Sequence, residues 1–262
     1  MTPGVYLFCL APASPSPEIA GVGIDGEHPL FVQVIGAVAA VMATVDLDDF
    51  SGPAAQAKIT DLAWVAPRAL RHEEVVLAVM ARGPVLPVRF NTVFSSLAAA
   101  VAPLQQRQEL LSAFFRETAD TQEWIVKAYV NLPQARARLT AARLEAEKEQ
   151  LAGLAPGKRY FFEQKIKGIV EKDTSSWLRG VSAELEALAL GASAQFSRCR
   201  VQSREVTGRE EEMFFHGALL VAERSVGELE AAVAAWNREQ EPEGLQMELS
   251  GPWPPYHFAP AL

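Results

Sequence analysis

The residues of this 262-residue chain best suited to metal or nucleophile chemistry are four histidines, His28, His72, His216 and His257, and two cysteines, Cys9 and Cys199. A tetrahedral metal site gathers such ligands at recognisable short spacings. Here each histidine stands in its own segment, and no CxxC pair or histidine pair accompanies either cysteine. No metal site is expected, and the cysteines read as free thiols of a reducing cytoplasm. Nucleophilic catalysis needs an activated Ser or Cys beside a base, yet Ser95-Ser96 and Ser175-Ser176 sit at helix-start positions that capping explains. The Gly21–Gly26 and Gly153–Gly157 stretches lack phosphate-loop register and read as turns. The carboxylates Glu145, Glu147, Glu149 and Glu210-Glu211-Glu212 lie on polar stretches, where solvation explains them better than acid–base work. No catalytic residue, cofactor or metal is expected.

Two segments are more pointed. In Leu86-Pro87-Val88-Arg89-Phe90, one arginine interrupts an apolar strand, and its permanent charge must meet a carboxylate, a helix C-terminus or water. At the other end of the sequence, Gly251-Pro252-Trp253-Pro254-Pro255-Tyr256-His257-Phe258 interleaves prolines with rings. Proline lowers the entropy lost on ordering, and each large ring brings about 1.5–3 kcal/mol if fully buried. Trp253, Tyr256 and Phe258 are therefore expected to dock this tail on the body of the protein.

These segments must be held by a folded scaffold, and the composition supplies one. With 49% apolar and 21% charged residues, the chain has the make-up of a soluble globular protein. Its 24 basic and 32 acidic residues leave a formal charge of −8, divided evenly at residue 118. No basic domain is present to hold a phosphate backbone, so nucleic acid is not an expected partner. The first basic residue is Lys58, which argues against a secretory leader. The uncharged run from Leu30 to Val45 is too short for a bilayer and reads as two buried strands turning near Gly36; no membrane partner is expected.

In the first 118 residues a strand at 5–10, a Pro-rich loop, the strand pair, helices at 53–63 and 67–82 and a strand at 84–90 give a ferredoxin-like order with its first helix replaced by a loop. Helices at 93–101 and 104–117 lead out. Residues 119–262 begin with period-two alternation at 122–130, then turn helical from 133 to 190 with a break at Gly153–Gly157. Leu178, Val181, Leu185 and Leu188 fall at spacings expected of a helix–helix seam. Strands at 195–203 and 213–222, a helix at 225–240 and a strand at 245–250 follow. The fold class expected is α+β, two ferredoxin-like-derived domains at 1–118 and 119–262, the second carrying an inserted coiled-coil-like helical pair and the docked tail. Its open sheet face is expected to present Arg198, Arg200 and Arg204 beside Phe214 and His216.

The chain resembles the gas vesicle F/L accessory protein family nearly end to end. The resemblance rests on Val5-Tyr6-Leu7-Phe8, on Leu86-Pro87-Val88-Arg89-Phe90-Asn91-Thr92-Val93-Phe94, on Glu123-Trp124-Ile125-Val126-Lys127, on Gly157-Lys158-Arg159-Tyr160-Phe161, and on Leu249 through Phe258. Asn91 stands where the family pattern often has Gly, and both residues tolerate positive φ. The resemblance implies a non-enzymatic, cytoplasmic role in assembling gas vesicles, with the small hydrophobic shell protein and other accessory proteins as partners. It does not separate F from L.

A sheet apolar on both faces could shield the shell subunit by face packing or strand addition, with Leu86, Val88, Arg89 and Phe90 as candidate contacts. Two other readings compete. Ferredoxin-like folds also serve as small-molecule-binding or regulatory domains, which need a pocket with convergent polar groups. A nucleic-acid binder would use the Arg198/Arg200/Arg204 face, against the negative charge of that half.

Overall fold

A continuous apolar run in the opening strand builds a sheet with two buried faces. The computed structural model describes residues 2–152 and 155–262. The first strand, β1 (Pro3–Pro12), pairs antiparallel with β3 (Val38–Asp46), which pairs with β2 (Leu30–Ile35) across a turn at Gly36-Ala37. Gly36 adopts φ 59°, a left-handed turn conformation that glycine takes without strain, with the end of the Gln108 side chain packed close against it.

Next come α1 (Leu47–Phe50), α2 (Gly52–Thr60) and α3 (Leu62–Met80). Asp61 caps α3 by accepting the Ala63 N–H, which starts the helix five residues before Pro67, where the sequence suggested a start. Then β4 (Leu86–Pro87) and β5 (Val93–Phe94) return to β1. Of the strand expected at 84–90 only Leu86–Pro87 forms, and β5 takes the first residues of the helix expected at 93–101. Helices α4 (Leu97–Gln106), capped by Ser96, and α5 (Gln108–Thr118) follow.

The sheet order β2-β3-β1-β4 is that of a ferredoxin-like unit. A bulge between Leu7 and Cys9 shifts the register of β1 on β3. One face, with Val5, Leu7 and Met42, packs on Leu104, Leu111, Phe114 and Phe115 of α4 and α5. The other, with Tyr6, Phe8 and Val41, packs on Val75, Val76 and Val79 of α3. The unit's own helices therefore cover both faces. This corrects the expectation that apolar sheet surface would be left over for a partner to pack against.

The second sheet starts with β6 (Thr121–Val130). Asn131 caps α6 (Leu132–Ala146), which is followed by α7 (Lys148–Ala152) and the 37-residue α8 (Pro156–Ala192). Residues Gly153 and Leu154 of the expected helix break lie outside the described residues. Strand β7 (Gln195–Arg198) is shorter than expected; α9 (Arg204–Thr207), β8 (Glu212–Ala222), α10 (Val226–Gln240) and β9 (Leu245–Trp253) complete the set. The order β7-β8-β6-β9 is again ferredoxin-like, with the first helix expanded into the α6–α8 hairpin.

The expected helix–helix seam holds at Leu178 and Val181, which pack in one cluster with Leu132 and Ala135 of α6, and fails beyond them. Leu185 is buried against Val126 and Leu219 of the sheet, with Val181 partly buried beside it, while Leu188 is 61% exposed. Upstream, Ile166 and Val170 are buried in the half of α8 that runs along α6, where Arg136 reaches Glu171 and Arg143 reaches Asp173. A single long helix thus changes partner along its length, and its packing stripe shifts with it.

The chain divides into two units, Met1–Gln122 with Pro252–Leu262, and Glu123–Gly251. The tail assigned with the second domain thus belongs to the first unit. Tyr256 supplies the reason, because its hydroxyl donates to Glu73 on α3 at 2.9 Å, and Ala259 packs on the first core.

Candidate functional site

A buried polar node divides β4 from β5. The His72 Nε2 lies 3.1 Å from the Val88 carbonyl, and its Nδ1 lies 2.9 Å from the Tyr6 hydroxyl. A carbonyl only accepts, so Nε2 carries the proton and Nδ1 accepts from Tyr6. The Tyr6 oxygen in turn accepts the Asn91 N–H at 3.0 Å. Each hydrogen-bonding atom of the His72 ring and the Tyr6 hydroxyl has a partner, as burial demands. Burial, only partly offset by the Val88 contact, pushes the His72 pKa down to about 4, so the ring is neutral at pH 7. Phe8 stacks on the ring and Phe90 meets it edge-on.

The node fixes the Val88–Thr92 segment in a conformation a plain strand would not take. Val88 gives its carbonyl to His72, and Asn91 adopts φ 66°, the left-handed region anticipated for this position. The Thr92 hydroxyl donates to the Arg89 carbonyl at 2.6 Å, and the Leu7 N–H returns to the Thr92 carbonyl at 3.0 Å. The Arg89 side chain is thereby turned outward, exposed, on a backbone held on both sides.

Arg89 lines a cleft of about 390 Å³, with Arg107 from the α4–α5 junction and tail residues Tyr256 and Ala259–Leu262. Leu7, Val88, Phe94 and Leu104 form the apolar floor. Of the partners the sequence offered for Arg89, an Asp or Glu side chain is absent from this lining among the described residues, and the side chain is exposed.

The four candidate contact residues therefore part company. Leu86 and Val88 are buried in the core beneath β1, and Phe90 is half-buried against His72. Only Arg89 of the four is exposed. The tail residues also differ: Tyr256 is the anchor, Phe258 is half-buried and Trp253 leaves 42% of its surface exposed. The spacing of the rings announced docking, but not which ring would carry it.

Elsewhere the histidines stay apart. His28 pairs with Asp25, which raises its pKa, and His216 Nδ1 lies 2.9 Å from the Arg200 carbonyl. The basic face expected on the second sheet also dissolves. Arg198 lies over Phe215 and bonds to Glu186 and Ser182 of α8, so it points to the helical side, and Arg204 pairs with Glu212. Their charge is spent on internal carboxylates, leaving little for a phosphate backbone. The network that sequence reasoning missed is Tyr6–His72–Asn91, whose members are separated by up to 85 residues.

Two ferredoxin-like units, the second with a long helical insertion, and a pinned arginine segment at the edge of the first sheet define a two-unit α+β protein. The chain belongs to the GvpL/GvpF family of gas vesicle synthesis proteins, whose model it matches over residues 4–260. It is 29% identical to gas vesicle protein L of Streptomyces sp. (strain CB03234) over 245 residues, which cover 90% of this chain and 85% of that protein. The fold is shared with the crystal structure of gas vesicle protein GvpF from Anabaena sp. PCC7120, at a TM-score of 0.71 and 17% identity over 99% of both chains. It is also shared with GvpF from Microcystis aeruginosa, at 0.65 and 17% identity over 98% of this chain and 99% of that one. Membership of this family supports an accessory role in gas vesicle formation.

Proposed function

We infer that the protein acts without catalysis, in the cytoplasm and in association with gas vesicles, by holding the small hydrophobic shell subunit and other accessory proteins during assembly. The first unit is the proposed holder of the shell subunit. The observation that carries this reading is the edge strand β2, Leu30-Phe31-Val32-Gln33-Val34-Ile35, which ends the sheet order and contains no charge. Edge strands are ordinarily blunted by Lys, Pro or a bulge.

The register tells which backbone groups face away from β3. Ile35 pairs with Val38 across a two-residue turn, a hydrogen-bonded pair, so Phe31 and Gln33 also bond to β3 while Val32 and Val34 point outward. The Leu30 N–H, on the same outward side, is taken by the Gly21 carbonyl. The Val34 carbonyl accepts the Gln33 side-chain amide at 3.0 Å, so a partner strand takes the Val32 groups and the Val34 N–H, and Val34, 50% exposed, supplies an apolar contact. With both sheet faces covered by helices, strand addition replaces face packing as the mode of contact.

The test is capture of the co-expressed shell protein by the tagged full chain and by Val34→Pro. Proline removes the outward N–H at position 34 and leaves the bonds to β3 in place. Loss of capture with an unchanged melting temperature is the expected result. Equal capture by the variant overturns the strand-addition reading.

A further inference from the structure

The cleft beside Arg89 has a charge imbalance that the edge strand does not use. The first unit is acidic overall, yet among the described residues Arg89 and Arg107 converge on one concave surface whose lining has no Asp or Glu side chain. Six other arginines, Arg136, Arg138, Arg143, Arg198, Arg204 and Arg209, each pair with a carboxylate. Among the described residues neither cleft arginine does. Two like charges facing one cavity raise its potential, and low-dielectric walls keep that potential from being fully screened.

The arginine is also preorganised. The bonds from His72 to the Val88 carbonyl, from Thr92 to the Arg89 carbonyl and from Asn91 to Tyr6 fix the backbone on both sides of Arg89. Arg107 ends α4 and opens α5, its N–H bonding to Leu104 and its carbonyl to the Leu111 N–H, so its backbone is fixed as well. With the backbone already fixed at both positions, only side-chain entropy is lost when the two guanidinium forks meet a carboxylate. The apolar floor beneath the two forks suits an aliphatic side chain next to that carboxylate.

We propose that this cleft binds an extended segment of a partner protein in which an acidic side chain is flanked by aliphatic residues. Arg89 and Arg107 take the carboxylate, and Leu7, Val88, Phe94 and Leu104 take an aliphatic neighbour. The site is separate from the β2 edge, on the opposite border of the sheet, and does not depend on which protein supplies the segment.

The experiment uses the full chain, with the side-chain Nε–Hε resonances of its arginines followed by NMR. The probes are the blocked peptide Leu-Glu-Leu, its Leu-Gln-Leu counterpart and acetate. The proposal expects saturable shifts of Arg89 and Arg107 with the Glu peptide and binding at least tenfold weaker with the Gln peptide and with acetate. Arg89→Gln and Arg107→Gln each weaken Glu-peptide binding several-fold, and the exposed Arg116→Gln leaves it unchanged. Equal binding of the Glu and Gln peptides, or no saturation, overturns the proposal. Acetate as strong as the Glu peptide overturns it in favour of a free-anion site. The peptide comparison is made on the unaltered protein, so a variant that fails to fold does not blunt it.

Discussion

The Tyr6 hydroxyl donates to His72 Nδ1 at 2.9 Å, joining β1 to α3 inside the first core. This bond fixes the tautomer of the ring, and the opposite nitrogen then holds Val88 and with it the arginine segment.

A pH dependence follows from the node. His72 has a folded pKa of about 4 against an ordinary value of 6.5, so between those values the unfolded chain binds the extra proton. The stabilisation is full above pH 6.5 and declines as pH falls towards 4, by at most about 3 kcal/mol. Urea denaturation at pH 7, 5.5 and 4.5 measures the decline. His72→Leu flattens this part of the profile and is less stable at pH 7, because Tyr6 and Val88 lose their partner. A wild-type profile no steeper than the variant's would remove His72 as its cause.

Asn91 invites a stabilising change. Its Oδ1 is buried without a partner among the described residues, and its φ is 66°. Asn91→Gly removes the stranded oxygen and suits the backbone, so the net effect is expected between zero and about 1 kcal/mol of added stability. Asn91→Ala keeps a Cβ where left-handed backbone costs roughly 1–2 kcal/mol, and it should melt below the glycine variant. Thermal melts of the three chains give the ranking.

Tyr256 tests the tail. Burial and the adjacent Glu73 raise its pKa, so the hydroxyl stays protonated and remains a donor. Tyr256→Phe should cost about 1–2 kcal/mol and leave Glu73 without its donor. Hydrogen exchange is expected to speed up in residues 252–262 and not in β8, whereas a uniform change would point to global destabilisation instead.

Among the charged contacts, burial of the partner groups sets the scale. Arg143 and Asp173 are each more than two-fifths exposed, so Arg143→Ala should cost under about 1 kcal/mol. Arg198 bonds to Glu186 and Ser182 and lies over the fully buried Phe215 ring. Arg198→Ala is expected to cost more than Arg143→Ala, by roughly 1 kcal/mol. Chemical denaturation of both variants decides the order.

Much of the architecture is legible in local pattern. Continuous apolar runs at 5–10 and 38–45 and period-two alternation at 122–130 mark central strands, Gly36 marks a hairpin, and Ser96 marks a helix start, because each depends on residues close in sequence. The two ferredoxin-like orders follow from counting those elements. The Pro-Val-Arg-Phe segment and the aromatic tail stand out for the same local reason.

What the sequence by itself determined is therefore the two ferredoxin-like orders of the main elements and the resemblance to the family. Only the tertiary structure decided that both faces of the first sheet are covered, that Tyr256 docks on Glu73 in the first unit, that Leu185 faces a sheet, and that Arg89 is turned into a cleft. Each of these depends on contacts between residues tens to more than a hundred positions apart. Periodicity says that a face will be buried and never against what, since the hydrophobic effect has no direction. Direction is supplied by hydrogen bonds such as Tyr6 to His72, whose partners meet only when the chain has folded.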